Sequence, residues 1–186
     1  MSINEVRYLT ECGSTNAYVK EHFEEFGPVG AVYTTNQTAG RGRLGRTWVN
    51  AEGRALYYTV AIREPLAQPA TLPLLASLAV RDQLKLRYGV DCQIKWPNDL
   101  LLGGRKVCGI LTEAAFRLEE GTLDYAVLGV GFNAYTPEGG FPPEIAGIAG
   151  SVYEARREDG RNALAAAFLN CLIGALAEPE AALGDY

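Results

Sequence analysis

Two stretches of this 186-residue chain hold residue types that could do chemistry. The first is Gln37-Thr38-Ala39-Gly40-Arg41-Gly42-Arg43-Leu44-Gly45-Arg46-Thr47-Trp48, in which arginines alternate with glycines. Glycine lets backbone N–H groups come close to a ligand, and guanidinium groups offer paired donors to phosphate or carboxylate. That is the chemistry of an anion-binding loop. The stretch formally contains GxGxxG (Gly40, Gly42, Gly45) and nearly contains GxxxxGK[ST], with Arg46 where the lysine belongs. Both patterns need a helix opening behind the loop to aim its N-terminus at phosphate. Residues 48–53 carry no amphipathic helix and no βαβ unit follows, so both are rejected.

The second stretch is Lys95-Trp96-Pro97-Asn98-Asp99, followed by Gly103-Gly104-Arg105-Lys106 and Val107-Cys108-Gly109-Ile110-Leu111-Thr112-Glu113. Pro97 fixes its own backbone angle, and Asn98-Asp99 suit the turn that follows. Lys106 opens a hairpin strand, so its ammonium could project over a sheet face towards a carboxylate or phosphate. Taken alone, an exposed strand-end lysine is the commoner occurrence, and Asp99 is most often just a turn residue. Gly109 within a strand points to a bulge or a close ligand approach.

Other chemistries are closed by what is missing. His22 is the only histidine and lies in a charged stretch, so a histidine metal site or a Ser-His-Asp triad is not expected. Cys12, Cys92, Cys108 and Cys171 show no CxxC spacing and fit reduced, mostly buried thiols. The net charge of -5 weighs against nucleic acid as a partner, although Arg41, Arg43, Arg46 and Arg54 make a local basic site. No apolar leader core opens the chain, and residues 163–177 are too short a run to span a membrane. A cytoplasmic protein without membrane contact is expected.

The elements that would position these residues follow from pattern. Strands are predicted over 6–12, 30–37, 55–63, 91–96, 100–102, 106–118 and 123–133. Ser14-Thr15-Asn16 should cap a helix over 17–26 that Gly27-Pro28 stops. Thr71 should cap a second helix, with Leu74, Leu75, Leu78, Ala79 and Leu84 buried and Gly89 ending it. A third helix is predicted over 162–177, with 179–186 as its exit, and residues 38–54 and 135–150 are loops. Gly103-Gly104 and Glu120-Gly121 suit hairpin turns. Consecutive hairpins imply an α+β fold: a mixed, largely antiparallel sheet with helices packed on one face.

In order and spacing, Ser14-Thr15-Asn16, the Gln37–Trp48 loop, Lys95–Asp99, Arg105-Lys106…Gly109-Ile110-Leu111…Glu113 and Gly129…Gly131…Asn133 resemble the biotin–protein ligase family. The resemblance implies a fold related to class II aminoacyl-tRNA synthetases and lipoate ligases, and residues 1–186 as a single catalytic domain. It implies an ATP-to-AMP ligase acting in two steps. Biotin and MgATP give biotinyl-5′-adenylate, and biotin then passes to one lysine of a carboxylase's biotin carboxyl carrier domain. ATP and Mg2+ are the implied co-substrate and ion, with metal ligands unassigned and no prosthetic group. Implied catalytic residues are Lys106, Arg41, Arg43 and Asp99, with Asp99 where the acceptor lysine comes in. Biotin would meet Ser14, Thr15, Asn16, Gln37, Gly40, Arg41, Gly42, Arg43, Lys106, Gly109 and Ile110. ATP and the adenylate would meet Arg43, Arg46, Trp48, Asn98, Lys106 and Asn133, with Trp48 and Asn133 at adenine.

Two departures from the family are expected: neither an N-terminal helix-turn-helix nor the usual C-terminal small β-barrel is legible, so repressor activity is not expected. A homodimer is left open. The rival readings are a same-fold lipoate or octanoate ligase and a truncated biotin-binding module without turnover.

Overall fold

The chain opens with β1 (Glu5–Leu9), α1 (Thr15–Glu21) and β2 (Val29–Thr34). A small hairpin follows, β3 (Gly40–Arg41) and β4 (Thr47–Trp48), and then the long strand β5 (Ala55–Ile62). After α2 (Leu72–Tyr88) come β6 (Gln93–Lys95), β7 (Asp99–Leu102), β8 (Arg105–Arg117) and β9 (Thr122–Asn133). Helices α3 (Arg161–Ala177) and α4 (Pro179–Gly184) complete it. The structure is a computed structural model that describes residues 3–51, 53–63, 69–117, 122–153 and 161–184.

Seven strands form one sheet in the order β1-β2-β5-β9-β8-β7-β6, with only β1 and β2 parallel. The α+β expectation holds. Along β5 side chains alternate between two faces. Leu56, Tyr58, Val60 and Ile62 join Leu75 and Ala79 of α2 and Leu164, Phe168 and Leu172 of α3 in the main core. Phe168 meets the rings of Tyr58 and Phe132 at 6.1 and 5.9 Å. Ala61 instead joins Val32, Val127 and Val19 of α1 in a second, smaller core. Helices thus pack on one face, as expected for α2 and α3, but α1 lies against the other. Each large apolar side chain buried here contributes about 1.5–3 kcal/mol. An exposed ion pair such as Arg54–Glu138 contributes at most about 1 kcal/mol. Burial on the two faces, not surface charge, fixes where the sheet lies.

Local differences from the sequence expectations have local causes. Strand β1 ends at Leu9, and Cys12 pairs only through an isolated bridge to Gln37. The first helix stops at Glu21, where His22 caps it and a separate helical turn, Phe23–Glu25, begins. The stretch 38–54 is not plain loop but holds the β3–β4 hairpin. Residues Pro179–Gly184 form a short helix. Gly103 and Gly104, at φ 57° and 78°, make the tight turn expected between β7 and β8. Glu120-Gly121 lies outside the described residues.

His22 stacks on Tyr18 at 4.2 Å, and its Nδ1 meets the Tyr18 carbonyl, which is a structural arrangement. All four cysteines are free thiols, with Cys92 and Cys108 buried. Among the described residues no helix is long and apolar enough to cross a membrane.

Candidate active site

On the α1 face of the sheet, β8 and β9 make the floor of an open cleft. Its walls come from Ser14-Thr15-Asn16 at the start of α1, from the β3–β4 hairpin, and from the Asn98 turn. The floor can be low because glycines occupy it. A Cβ on Gly131 would lie 2.8 Å from the Trp48 ring, and one on Gly109 would lie 2.4 Å from it. Trp48 therefore rests directly on the sheet, where any larger residue would displace it. Its indole N–H is buried without a hydrogen-bond partner among the described residues.

Lys106 owes its direction to a bulge. Across β7–β8, Leu100 pairs with Cys108 but Leu101 pairs with Lys106, which leaves Val107 as an extra residue. Without that insertion Lys106 would share the fully buried face of Cys108. One extra residue reverses the alternation and turns the amine onto the cleft face. There Nζ sits 2.6 Å from Asp99 Oδ1 and 5.2 Å from the Trp48 ring. The contact with Asp99 is an ion pair without hydrogen-bond geometry, so charge rather than a directed bond holds the amine. Sequence reasoning offered a bulge or a close ligand approach at Gly109. The bulge is at Val107, and Gly109 is the point of close approach.

The glycine-arginine stretch folds as a hairpin over the cleft. Gly42 N–H donates to the Arg46 carbonyl at 2.7 Å, and Arg46 N–H donates to that of Arg43 at 3.2 Å. Arg43 reaches across to donate to Asn98 Oδ1 at 2.9 Å, tying hairpin to turn. Arg41 and Arg43 are exposed and line the cleft, so their charge faces whatever occupies it. At the hairpin's base Tyr57, buried on β5, accepts from Ala51 N–H at 3.0 Å and donates to Asn50 Oδ1 at 3.3 Å.

The inner end is polar and buried. Gln37 Oε1 accepts from both Thr15 N–H (2.9 Å) and the Thr15 hydroxyl (3.1 Å), and its carboxamide nitrogen lies close to Gly40. Asn16 Oδ1 accepts from the Thr59 hydroxyl at 2.7 Å, while its Nδ2 donates to Glu113 Oε2 at 2.9 Å. Lys20 completes the network by pairing with Glu113 Oε1 at 2.7 Å. Burial pushes the Glu113 carboxyl up, but the Lys20 and Asn16 hydrogen bonds with the Lys20 charge outweigh it, so it lies below its ordinary value.

Of the residues singled out from sequence, Ser14, Thr15, Asn16, Gln37, Arg41, Gly42, Arg43, Trp48, Asn98, Lys106, Gly109 and Ile110 converge on this one cleft. Others stand apart from its lining. Gly40 is buried beneath the hairpin, where a Cβ would meet the Trp48 carbonyl at 2.7 Å. Asp99 pairs with the Lys106 amine without lining the cleft itself. Arg46 points to solvent. Asn133 is buried and donates to the Gly150 carbonyl at 3.0 Å, holding the 145–150 loop. Ile110 contributes no free backbone group, because Asn98 takes both its N–H (2.8 Å) and its carbonyl (3.0 Å). Thr59 had no assigned role from sequence, and Glu113 had none beyond its place in the motif. Both act through partners far along the chain.

The description "Biotin/lipoate A/B protein ligase family" fits residues 9–133. The chain is 36% identical over 154 residues to the bifunctional ligase/repressor BirA of Bacillus spizizenii, an alignment covering 81% of this chain and 47% of that protein. It is 35% identical over 133 residues to the biotin–[acetyl-CoA-carboxylase] ligase of Mycobacterium tuberculosis, covering 67% and 47%. It thus spans about half the length of these curated relatives. In structure it is similar to the biotin protein ligase of Leishmania major solved in complex with biotin, with a TM-score of 0.74 and 25% identity, over 94% of this chain and 75% of that one. With the family's signature running from Leu9 to Asn133, through both walls and the floor of the cleft, the chain belongs to the biotin/lipoate A/B protein ligase family.

Proposed function

We propose that residues 1–186 are a biotin ligase catalytic domain that joins biotin to ATP as biotinyl-5′-adenylate and passes biotin to a carrier-domain lysine. The observation that carries this reading is the convergence of Lys106, Arg41 and Arg43 at one end of a cleft whose other end is lined by the uncharged polar side chains of Ser14, Thr15, Asn16 and Gln37. A carboxylate is a poor electrophile, and its attack on the α-phosphorus brings two anions together. The chain's part is to hold them in line and offset their charge.

The biotin carboxylate oxygen attacks the α-phosphorus, the bond from that phosphorus to the α,β-bridging oxygen breaks, and pyrophosphate leaves. Lys106, steadied by Asp99, would sit between carboxylate and phosphate, with Arg41 and Arg43 closing from above. The acceptor amine then attacks the mixed anhydride, an amide forms, AMP departs, and the amine proton is lost. Among the described residues no three His, Cys, Asp or Glu side chains could hold a metal. Magnesium keeps waters and binds through substrate phosphates with one or two carboxylates. Asp99 Oδ1 and Asn98 Oδ1 do not fit that need here, since Lys106 pairs with the first and Arg43 donates to the second.

Thr15, Gln37 and Ser14 favour biotin over lipoate as the acid. A ureido ring has N–H donors and a carbonyl to satisfy at a polar pocket end, whereas a dithiolane ring has neither. Mass spectrometry of a biotin carboxyl carrier domain after incubation with the protein, biotin and MgATP should find one biotin adduct. No adduct with biotin, and one with lipoate, would move the substrate to the rival acid. Biotin binding without any pyrophosphate release would leave only a binding module.

A further inference from the structure

Large apolar side chains stand exposed on three segments tied to residues that line the cleft. Leu44, at the hairpin tip, is 90% exposed, Trp96 is 70% and Ile148 is 65%. They come from three separate segments that the structure ties together. Leu44 follows Arg43, which bonds Asn98, two residues beyond Trp96. Ile148 gives its carbonyl to Lys106 N–H at 2.7 Å, beside Arg105. Leu44 also holds a left-handed backbone, φ 57°, in which a bulky apolar residue is uncommon.

The same segments are basic. Residues 41–48, 93–106 and 144–148 hold six of the chain's 17 Lys and Arg but two of its 22 Asp and Glu, a net +4 on a chain of net -5. One of those two, Asp99, is already paired with Lys106. Arg41, Arg43, Arg46, Lys95 and Arg105 are all exposed. Exposed apolar side chains on segments that carry one sign of charge have the make-up of a protein-docking surface.

We infer that Leu44, Trp96 and Ile148, with Lys95 and Arg105, form the seat for the acidic face of the protein domain that carries the acceptor lysine. This deepens the proposed reading and rests on it. An amine that attacks a mixed anhydride beside Lys106 must come in over this rim, so the surface carrying it lies on these side chains. Rim charge sets how fast and in what orientation the acidic face arrives, and the apolar side chains set how long it stays.

The test uses an isolated biotin carboxyl carrier domain of an acetyl-CoA carboxylase and two variants, Leu44→Ser/Trp96→Ser/Ile148→Ser and Lys95→Glu/Arg105→Glu. Both should release pyrophosphate from biotin and MgATP at the wild-type rate. Their KM for the carrier domain should rise about tenfold, as when interface anchors are cut back. Carrier affinity of the charge variant should also respond less steeply to salt. An unchanged carrier KM in both variants overturns the inference. If the wild-type chain makes no adenylate, the proposed function falls separately, and calorimetric titration of the same carrier domain onto wild type and variants decides the rim. Equal binding there overturns it. A dimer that dissociates on Trp96→Ser, with carrier KM unmoved, gives the surface to a second copy of this chain and overturns it as well.

Discussion

The two ends of the cleft are built on opposite principles. At the inner end Thr15, Gln37, Asn16, Thr59, Glu113 and Lys20 are joined by hydrogen bonds between 2.7 and 3.1 Å, mostly buried, and every one of them has a partner. At the outer end Arg41 and Arg43 are exposed, and Lys106 is held by the charge of Asp99 and the face of Trp48. Buried polar networks are rigid when fully satisfied, because any movement strands a donor or acceptor. Exposed cations can follow a ligand whose charge moves during reaction. The inner end is therefore suited to select a ring, and the outer end to track a carboxylate that becomes an anhydride. Variants at each end should separate binding from turnover.

The largest expected effect is at the outer end. Lys106→Ala should lower adenylate formation by about 10²- to 10³-fold, the loss typical when one preorganised charge partner is removed. Pyrophosphate release measures it, and calorimetric affinity for biotin should change far less. A variant near wild-type turnover would remove Lys106 from the chemistry. At the inner end, Gly129→Ala should act on stability and binding together. Its Cβ would lie 2.0 Å from Asn16 Oδ1, so Asn16 must leave both Thr59 and Glu113. The cost should be about 1–3 kcal/mol in urea denaturation, with weaker biotin binding alongside. Undiminished binding would mean that the inner end adapts after all, and the contrast between the ends would fail.

How far the sequence disclosed these features follows from the range over which each is determined. Lys106, the arginines and the glycines are visible as residue types, and they do meet. The direction of Lys106 is not, because it depends on Val107 being surplus to a pairing with β7 that only the folded register defines. Asn16 was read locally as a helix cap, whereas its partners Thr59 and Glu113 lie 43 and 97 residues away. Two-residue strands such as β3 and β4 are too short to have a period. Helices on both faces of the sheet, by contrast, left a signal. Ala-Leu-Tyr-Tyr-Thr-Val-Ala-Ile in β5 is nearly continuous in apolar residues and buried at all eight positions, the mark of a strand covered on two sides. Asn133 donates to the Gly150 carbonyl, a contact 17 residues along the chain that no local pattern could disclose.

The smallest effect, and the finest probe of the inner end, is Glu113→Gln. A glutamine oxygen can still accept from Asn16, so the network keeps its shape and loses only the charge attraction to Lys20. The Lys20 and Glu113 side chains are 31% and 34% exposed, so solvent screening cuts the pair to a few tenths of a kcal/mol, at most about 1. Its sign with pH follows from the depressed carboxyl. A group bound more tightly as the anion in the folded state stabilises the fold above its ordinary pKa of 4.5, and that contribution fades as pH falls through the lower folded value. Glutamine does not titrate. Urea midpoints of wild type and variant should therefore differ by a constant small gap from neutral pH down to the ordinary carboxyl range, and the gap should close below it. A gap that instead widens on acidification would mean that Glu113 is protonated in the folded chain, and that Lys20 and Asn16 do not hold it as the anion.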